Sequence, residues 1–421
     1  VELAPGLKLS EAGPIPEDWE VVRLGDSHPF VTSGSRGWSR YYADTGDLFV
    51  RITNMFRNEV RLDLSDVRFV QPPPDDAEVE RTALRLNDLL ISITADIGIV
   101  SLVTENVPLP AFINQHIAAV RLASDVIDPH YAAYALKSDH SSAWFRAITD
   151  AGAKAGINLS TVRKTPLVAP PVPEQRAIAA LLGDVDAWIA AAEAEAAKLA
   201  SLKAATISAL LTPAIRLPSF DGEWVKCRLG DRGSFKKGRG ITRAQVRGSG
   251  LPAVRYGELY TRFNDHIRGF HSFIDKETAS GALRLSFGDI CFAASGETTE
   301  EIGKCAALLV GAEAYAGGDI IVFTTANDDP CFLGYYLNTV DVAQQKARLG
   351  QGDAVVHIHA DKLADLEVAM PTVAEQCAIA AVLTDIDVAL RATRAVVAKA
   401  RGVKAAAMDA LLSGRVRLPL A

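Results

Sequence analysis

The chain has 421 residues, 49% hydrophobic and 23% charged, a globular composition long enough for two or more domains and incompatible with intrinsic disorder. Its formal net charge of −7 excludes a protein that coats nucleic acid through overall basicity. Any nucleic-acid contact must come from local patches or be shared with a partner that brings positive charge.

No apolar run approaches ~20 residues, so no membrane-spanning helix is predicted. Residues 1–20 carry prolines and acids without an apolar core and do not read as a signal peptide. The block 17–26, EDWEVVRLGD, opens the first half. Residues 34–54, GSRGWSRYYADTGDLFVRITN, then bring together Arg36, Trp38, Arg40, Tyr41, Tyr42, Arg51 and Asn54, with Arg57 following and Asp44 and Asp47 interleaved. Arginine can bond guanine in bidentate fashion, asparagine can do so with adenine, and aromatics can pack on sugars or thymine methyls. The same aromatics could equally belong to a core. Strand-like runs follow at 48–53, 89–94, 97–103 and 117–122, separated by turn residues such as Asn87-Asp88, and a helix is predicted over 129–148.

From Glu174 the pattern changes. Ile178, Leu182, Val185, Ile189, Ala192, Ala196, Leu199 and Leu202 recur at alternating steps of mostly four and three, a coiled-coil seam among strong helix formers. Pro173 suits the first turn, and Leu211-Thr212-Pro213 marks the end. A second α/β region follows, with strand runs at 290–294, 306–310 and 320–325 and a helix over 331–348. Its opening is the clearest basic patch of the chain. Between residues 226 and 247 Asp231 is the only acid, and Lys236, Lys237, Arg239, Arg243 and Arg247 sit among glycines, with Arg255 and Tyr256 beyond. That composition reads as a mobile loop able to follow a phosphate backbone, with a merely solvated charged loop as the alternative. The last segment is again helical, with Ile379, Leu383, Ile386, Leu390, Val397 and Val403 as its seam, a Thr372–Glu375 capping box at its start and Ser413-Gly414 at its end.

The chain is therefore written twice. Moving 201 positions along, EQRAIAALLGDVDAWI at 174 becomes EQCAIAAVLTDIDVAL at 375, and LKAATISALLTPAIRLP at 202 becomes VKAAAMDALLSGRVRLP at 403. EDWEVVRLGD returns as GEWVKCRLGD at 222, and LRLNDLLIS at 84 as LRLSFGDICF at 283. The stretches between these anchors differ strongly. The period is far too long for a solenoid. Each helix of roughly 37 residues needs a partner for its apolar stripe, and the simplest solution pairs them, antiparallel, as a rod between two globular domains. The alternative packs each helix on its own domain.

At this point the residues carry a family likeness. The Pro-x-Pro-Glu-Gln-x-x-Ile-Ala-x-x-Leu-x-x-x-Asp run at 171–186, its echo at 371–387, the Trp19 and Trp224 blocks and Ile113-Asn114-Gln115-His116 resemble specificity subunits of type I restriction–modification systems, over nearly the whole chain. The resemblance implies two α/β target recognition domains in tandem duplicate (residues 1–165 and 216–366), separated by two long antiparallel coiled-coil-like helical spacers (166–215 and 367–421) with a pseudo-two-fold relation. It implies that each domain reads half of a split site in double-stranded DNA while the paired helices fix the gap. It further implies two modification subunits that methylate adenine, with restriction/translocase subunits joining them. S-adenosylmethionine, ATP and Mg would then be held by those partners only, with no cofactor, metal or catalytic residue on this chain, in the cytoplasm of a bacterium or archaeon. DNA contact is expected from the basic and aromatic residues named above, and partner contact from Glu174, Gln175 and Ile178 with Glu375, Gln376 and Ile379. Where the first half has Asn114-Gln115 the second has Gly317-Gly318, a departure from a shared role.

No catalytic signature competes with this reading. Asn-Pro-Pro-aromatic is absent, no Gly-x-Gly-x-x-Gly follows a strand, and GETTEEIGKC at 296–305 has the wrong spacing for a phosphate-binding loop. His357 and His359 share a strand face but have no third ligand nearby in sequence. Cys227, Cys291, Cys305, Cys331 and Cys377 contain no Cys-x-x-Cys pair, which argues against a disulfide framework or a structural zinc site and for a reducing compartment. The rival from another class is a scaffold that uses the same helices to bind protein alone.

Overall fold

The computed structural model describes residues 5–74, 76–123, 125–150, 156–352 and 355–419. Residues 1–4 and 420–421, assigned above to the first recognition domain and the second spacer, lie outside them. Contacts divide the chain into two compact units, Val1–Ala192 with Val396–Ala421 and Glu193–Ala395.

The first unit contains β1 (Leu7–Ser10), β2 (Gly13–Pro16), β3 (Glu20–Arg23), β4 (Phe30–Ser33), β5 (Tyr42–Ala43), β6 (Asp47–Val50), β7 (Phe69–Val70), α1 (Ala77–Thr82), β8 (Leu89–Ser92), β9 (Val100–Leu102), β10 (Ala111–Ile113), β11 (Ile117–Arg121), α2 (Pro129–Ala135), α3 (Asp139–Asp150), α4 (Leu159–Arg163), β12 (Pro166–Ala169) and the start of α5 (Val172–Leu210). The second contains the rest of α5, β13 (Val225–Arg228), β14 (Gly233–Lys237), β15 (Leu251–Val254), α6 (Tyr256–Thr261), β16 (His266–Ile267), β17 (Ser272–Ile274), α7 (Lys276–Gly281), β18 (Leu283–Leu285), β19 (Ile290–Ala293), β20 (Ser295–Gly296), β21 (Cys305–Leu308), β22 (Ala314–Ala316), β23 (Ile320–Thr325), α8 (Pro330–Tyr336), α9 (Val340–Leu349), β24 (Val356–His357), α10 (Ala360–Ala364), β25 (Glu367–Met370) and the start of α11 (Val373–Leu412).

Both units follow one plan. The main sheet runs β4-β11-β8-β9 in the first and β14-β23-β19-β21-β16 in the second. A second sheet runs β10-β6-β7-β5 in the first and β17-β15-β22-β18 in the second. The inner main-sheet strands β8, β11, β19, β21 and β23 are apolar on both faces because both are covered, and alternate residues divide between two cores. Leu89 and Ile91 face the helices with Tyr131, while Leu90 faces the second sheet with Leu48 and Ile113. Ile290 and Phe292, against Cys291 and Ala293, repeat this division.

The helix expected over 129–148 is two helices, α2 and α3, and its counterpart is likewise α8 and α9. The breaks fall at hydroxyl residues that compete for backbone groups. The Ser138 hydroxyl accepts from Ser141 N at 3.4 Å, and the Thr339 hydroxyl donates to Tyr336 O at 2.8 Å.

The long helices are 39 and 40 residues, and each contributes to both units. In the first unit the start of α5 lies antiparallel to the end of α11. Ile178 and Leu182 share a core with Leu411 and Leu412, and the Asp186 carboxylate accepts from Tyr134 Oη at 2.7 Å and pairs with Lys404 Nζ at 2.5 Å. The second unit repeats this with Ile379 and Leu383 against Leu210 and Leu211. There Asp387 accepts from Tyr335 Oη at 2.6 Å and pairs with Lys203 at 2.9 Å. Burial pushes the Asp387 carboxyl up, but bonds from Tyr335 and Lys203 outweigh it and hold it below the usual carboxylate range.

The expected seam is thus corrected at its far ends. Leu202 and Val403 are exposed, while the neighbouring lysines turn inward. A 3.6-residue turn drifts against a 3.5-residue seam, and here the buried aspartates decide which residue faces in.

Candidate nucleic-acid interface

In the second unit the edge strand β14 ends on Lys236 and Lys237, paired with Val322 and Ile321. Gly238 then passes directly under Gly317: a Cβ on Gly238 would sit 2.0 Å from Gly317 O, so only glycine fits. Gly318 N donates to Gly240 O at 3.0 Å, and buried Ile241 plugs into a small core with Ala253, Ile274 and Tyr315. The Gln245 side chain accepts from Thr242 N at 2.9 Å and closes the next turn. The loop expected to be mobile is therefore pinned, because its glycines serve close backbone approach. Lys236, Lys237, Arg239 and Arg243 project from it, exposed, and among the described residues no carboxylate pairs with them.

Arg247 is partly engaged. Its guanidinium donates to Ala244 O at 2.6 Å and lies 3.8 Å from Asp275. Arg255 is half-buried at the start of α6, and Tyr256 beside it is exposed. His357 and His359, set aside in the sequence, line a shallow cavity with Lys237 and Ser295, where His357 Nδ1 meets Ser295 Oγ at 3.0 Å. Their position next to β14 depends on a long-range pairing of β20 with β24 that no local pattern signals.

The equivalent place in the first unit is built the same way and furnished differently. Gly34 follows β4 and lies under the Ile113–Asn114 backbone, where a Cβ would meet Ile113 O at 2.0 Å. Arg36 and Arg40 are exposed, Arg40 over the Tyr41 ring at 4.7 Å, and Tyr42 is exposed beside them. Asn114, Gln115 and His116 border this loop, half-exposed.

Several expected contacts are corrected. Trp38 is 1% exposed, stacked on Phe49 and bonded through Nε1 to Glu78 at 3.2 Å. Asn54 is buried, with its amide donating to Asp63 O and Asp66 O and its oxygen accepting from Arg51 N. Arg51 is tied to Asp66 at 3.0 Å, and Arg57 is tied to Asp96. Trp38, Arg51 and Asn54 are held within the body of the unit by these bonds, whereas the Arg57–Asp96 pair lies at the surface.

The residues expected to meet partners are buried too: Glu174, Gln175, Ile178, Glu375, Gln376 and Ile379 are each at most 1% exposed. Glu174 accepts from Arg417 at 2.6 Å and from Trp19 Nε1 at 3.2 Å, and Glu375 accepts from Arg216 at 2.6 Å. Gln175 accepts from Asp128 N at 2.8 Å and Gln376 from Asp329 N at 2.9 Å, each joining the helix start to the cap of α2 or α8. The Thr372 hydroxyl accepts from Glu375 N at 3.4 Å, but the return arm of the expected capping box is missing because Arg216 claims both carboxylate oxygens. The Glu-Gln signature is a structural lock. The two tail arginines that complete it were missed, although both lie in the repeated Arg-Leu-Pro.

Replacing Gly238 by valine is expected to displace the loop from Gly317 without unfolding the unit. Protease cleavage between Lys237 and Arg247 should become faster while the melting temperature moves little; unchanged cleavage would show that the loop is not held there.

Residues 16–201 match the family model for the type I restriction modification DNA specificity domain. The whole chain is similar to the specificity subunit of the type I restriction enzyme MjaX from Methanocaldococcus jannaschii, with 24% identity over 98% of this chain and 96% of that one. The first half of the repeat thus carries the likeness to the type I restriction–modification specificity family. The chain has the fold of the S subunit from M. genitalium, at TM-score 0.63 and 15% identity over 97% of this chain and 99% of that one. A structure described as showing complex assembly and conformational transition of the type I system is similar at TM-score 0.51 and 16% identity, over 96% of this chain and 99% of that one. Among the described residues no three His, Cys, Asp or Glu side chains cluster to hold a metal, and no helix is long and apolar enough to cross a membrane.

Proposed function

We propose that this chain is the specificity subunit of a type I restriction–modification system, that it reads a bipartite, asymmetric site in double-stranded DNA, one half with each unit, and that it directs adenine methylation and restriction by partner subunits. One observation carries the reading. Two units of the same plan place differently furnished loops at the same structural position. Lys236, Lys237, Arg239 and Arg243 stand in the second, with Arg247, Arg255 and Tyr256 flanking, and Arg36, Arg40 and Tyr41 stand in the first. Cations positioned by a pinned backbone neutralise phosphates, and arginine and tyrosine among them reach base edges. Two readers on one chain bind a paired site far more tightly than either half.

On this reading residues 1–165 and 216–366 are the recognition domains, and 166–215 and 367–421 are the spacers that set the gap. Two modification subunits, joined by restriction/translocase subunits, meet the long helices on residues that are in fact exposed. Leu181 and Trp188 serve in the first unit, and Val382 and Val388 in the second. S-adenosylmethionine, ATP and Mg belong to those partners.

Replacing Arg239 and Arg243 together by alanine is expected to weaken binding of the cognate DNA roughly 10- to 100-fold at low salt. It should also flatten the slope of log affinity against log salt by about 1.8. Gel shift or anisotropy with the modification subunit present, across salt concentrations, measures both. Unaltered affinity at low salt would remove the loop from the interface, and no DNA binding by the wild-type assembly would favour a protein-only scaffold.

A further inference from the structure

The hollow beside the end of β14 is lined by Lys237, Ser295, Asp319, His357 and His359 and holds about 60 Å³. That volume admits one small polar group and not a nucleobase. Ser295 is 6% exposed, and its Oγ meets His357 Nδ1 at 3.0 Å. Lys237 and both histidines are exposed. Among the described residues no protein group bonds His357 Nε2.

The backbone around this hollow matches in the two units. In the first, Ile93 N donates to His116 O at 2.9 Å and Ile157 N to Ile93 O at 2.8 Å. In the second, Ala294 N donates to Asp319 O at 2.9 Å and Ile358 N to Ala294 O at 3.0 Å. Thr94 therefore stands where the second unit has Ser295, His116 where it has Asp319, and Gly156 where it has His357. A Cβ on Gly156 would lie 2.7 Å from Thr94 Cγ2, so no side chain enters from that wall in the first unit. His116 enters from the other wall. Its Nδ1 bonds Thr94 Oγ1, and its Nε2 meets the Gln115 side-chain amide at 3.0 Å. Each unit thus brings an imidazole onto the hydroxyl two residues beyond β8 or β19, from a different point in the chain. Loops that read different half-sites diverge. A feature rebuilt from different residues answers to what both half-sites share, which is the sugar–phosphate backbone.

We propose that the hollow in the second unit holds one phosphate of the DNA backbone, a contact that rests on the reading of DNA by that unit. The Ser295 hydroxyl donates to His357 Nδ1, which leaves the ring proton on Nε2, free for a phosphate oxygen. Lys237 supplies the positive charge. Ser295 is a positioning residue that fixes the tautomer and plane of the ring. Asp319 opposes an anion and limits the affinity. In the first unit the amide of Gln115, held by His116, is the corresponding donor.

The test uses the full chain assembled with its modification subunit, bound to its cognate duplex. A single uncharged methylphosphonate is moved along the duplex, one phosphate at a time. His357→Ala should weaken binding of the unmodified duplex about 10-fold. At one or two positions within one half-site the methylphosphonate should weaken the wild type by a similar factor and His357→Ala hardly at all. Ser295→Ala should lose about threefold, and nothing further when combined with His357→Ala. Asp319→Asn, at an exposed position, should tighten binding severalfold, a gain that no loss of fold can mimic. If the acid instead received a base amino group, the same change would weaken binding. The inference fails if the His357→Ala and methylphosphonate losses add at every position, or if Asp319→Asn weakens binding. No DNA binding by the wild-type assembly would instead end the reading of DNA on which it rests.

Discussion

Inserting seven residues into both long helices, after Ala192 in α5 and after Ala395 in α11, is expected to widen the gap in the recognised DNA by about three base pairs while leaving both half-sites unchanged. Those positions are where the chain passes from one unit to the other, so neither unit loses an internal contact. Seven residues are two turns and keep a seam in register, adding about 10 Å at 1.5 Å per residue. DNA rises 3.4 Å per base pair along one strand, which gives the figure of about three. Insertion into one helix alone should abolish activity, because the antiparallel pairs of the two helices can no longer all meet. Mapping methylated adenines in a host expressing the variant with its modification subunit reads the gap directly. An unchanged gap, or new half-sites, would end the proposal that the helices set the spacing.

The second large effect is on stability. Lys404→Met should destabilise the first unit by about 3–5 kcal/mol, because it leaves the 8%-exposed Asp186 carboxylate with Tyr134 as its remaining hydrogen-bond donor in an apolar setting. For a unit of this size that corresponds to a fall in Tm of roughly 10 °C. The double variant Asp186→Leu/Lys404→Met should recover most of the loss, since replacing both members of a buried pair by packed apolar groups is often neutral. Thermal unfolding followed by calorimetry separates the outcomes. A single variant as stable as the wild type would mean that Asp186 is solvated or repartnered, and an unrecovered double variant would mean that the Lys404 ammonium contributes through the Tyr134 ring, 5.8 Å from its Nζ, as well as through Asp186.

These lysines show where reading the sequence stops. Apolar spacing marked both long helices, the 201-residue repeat marked the tandem plan, and the runs at 89–94, 117–122, 290–294 and 320–325 marked the main-sheet strands. Such features are periodic and local, and the chain repeats them. Spacing alone put Leu202 and Val403 inward. The structure turns Lys203 and Lys404 inward there because Asp387 and Asp186, far away in the chain in each case, offer charges that must be met.

The same limit governs the reading loops. The basic composition of the second loop and the arginines of the first were legible as residue types. Whether a side chain reaches solvent depends on what lies under it. Trp38 turns inward to Phe49, and Asn54 spends its amide on Asp63 and Asp66. Glu174, Gln175, Glu375 and Gln376, which the repeat singled out, turn inward to meet tail arginines and helix caps. By itself the sequence determined that there are two copies of one α/β plan, two long helices and a family likeness, because periodicity and repetition survive without knowledge of contacts. Only the tertiary structure decided which of the repeated polar residues are surface and which are locks, because burial and partner choice depend on groups far apart in the chain.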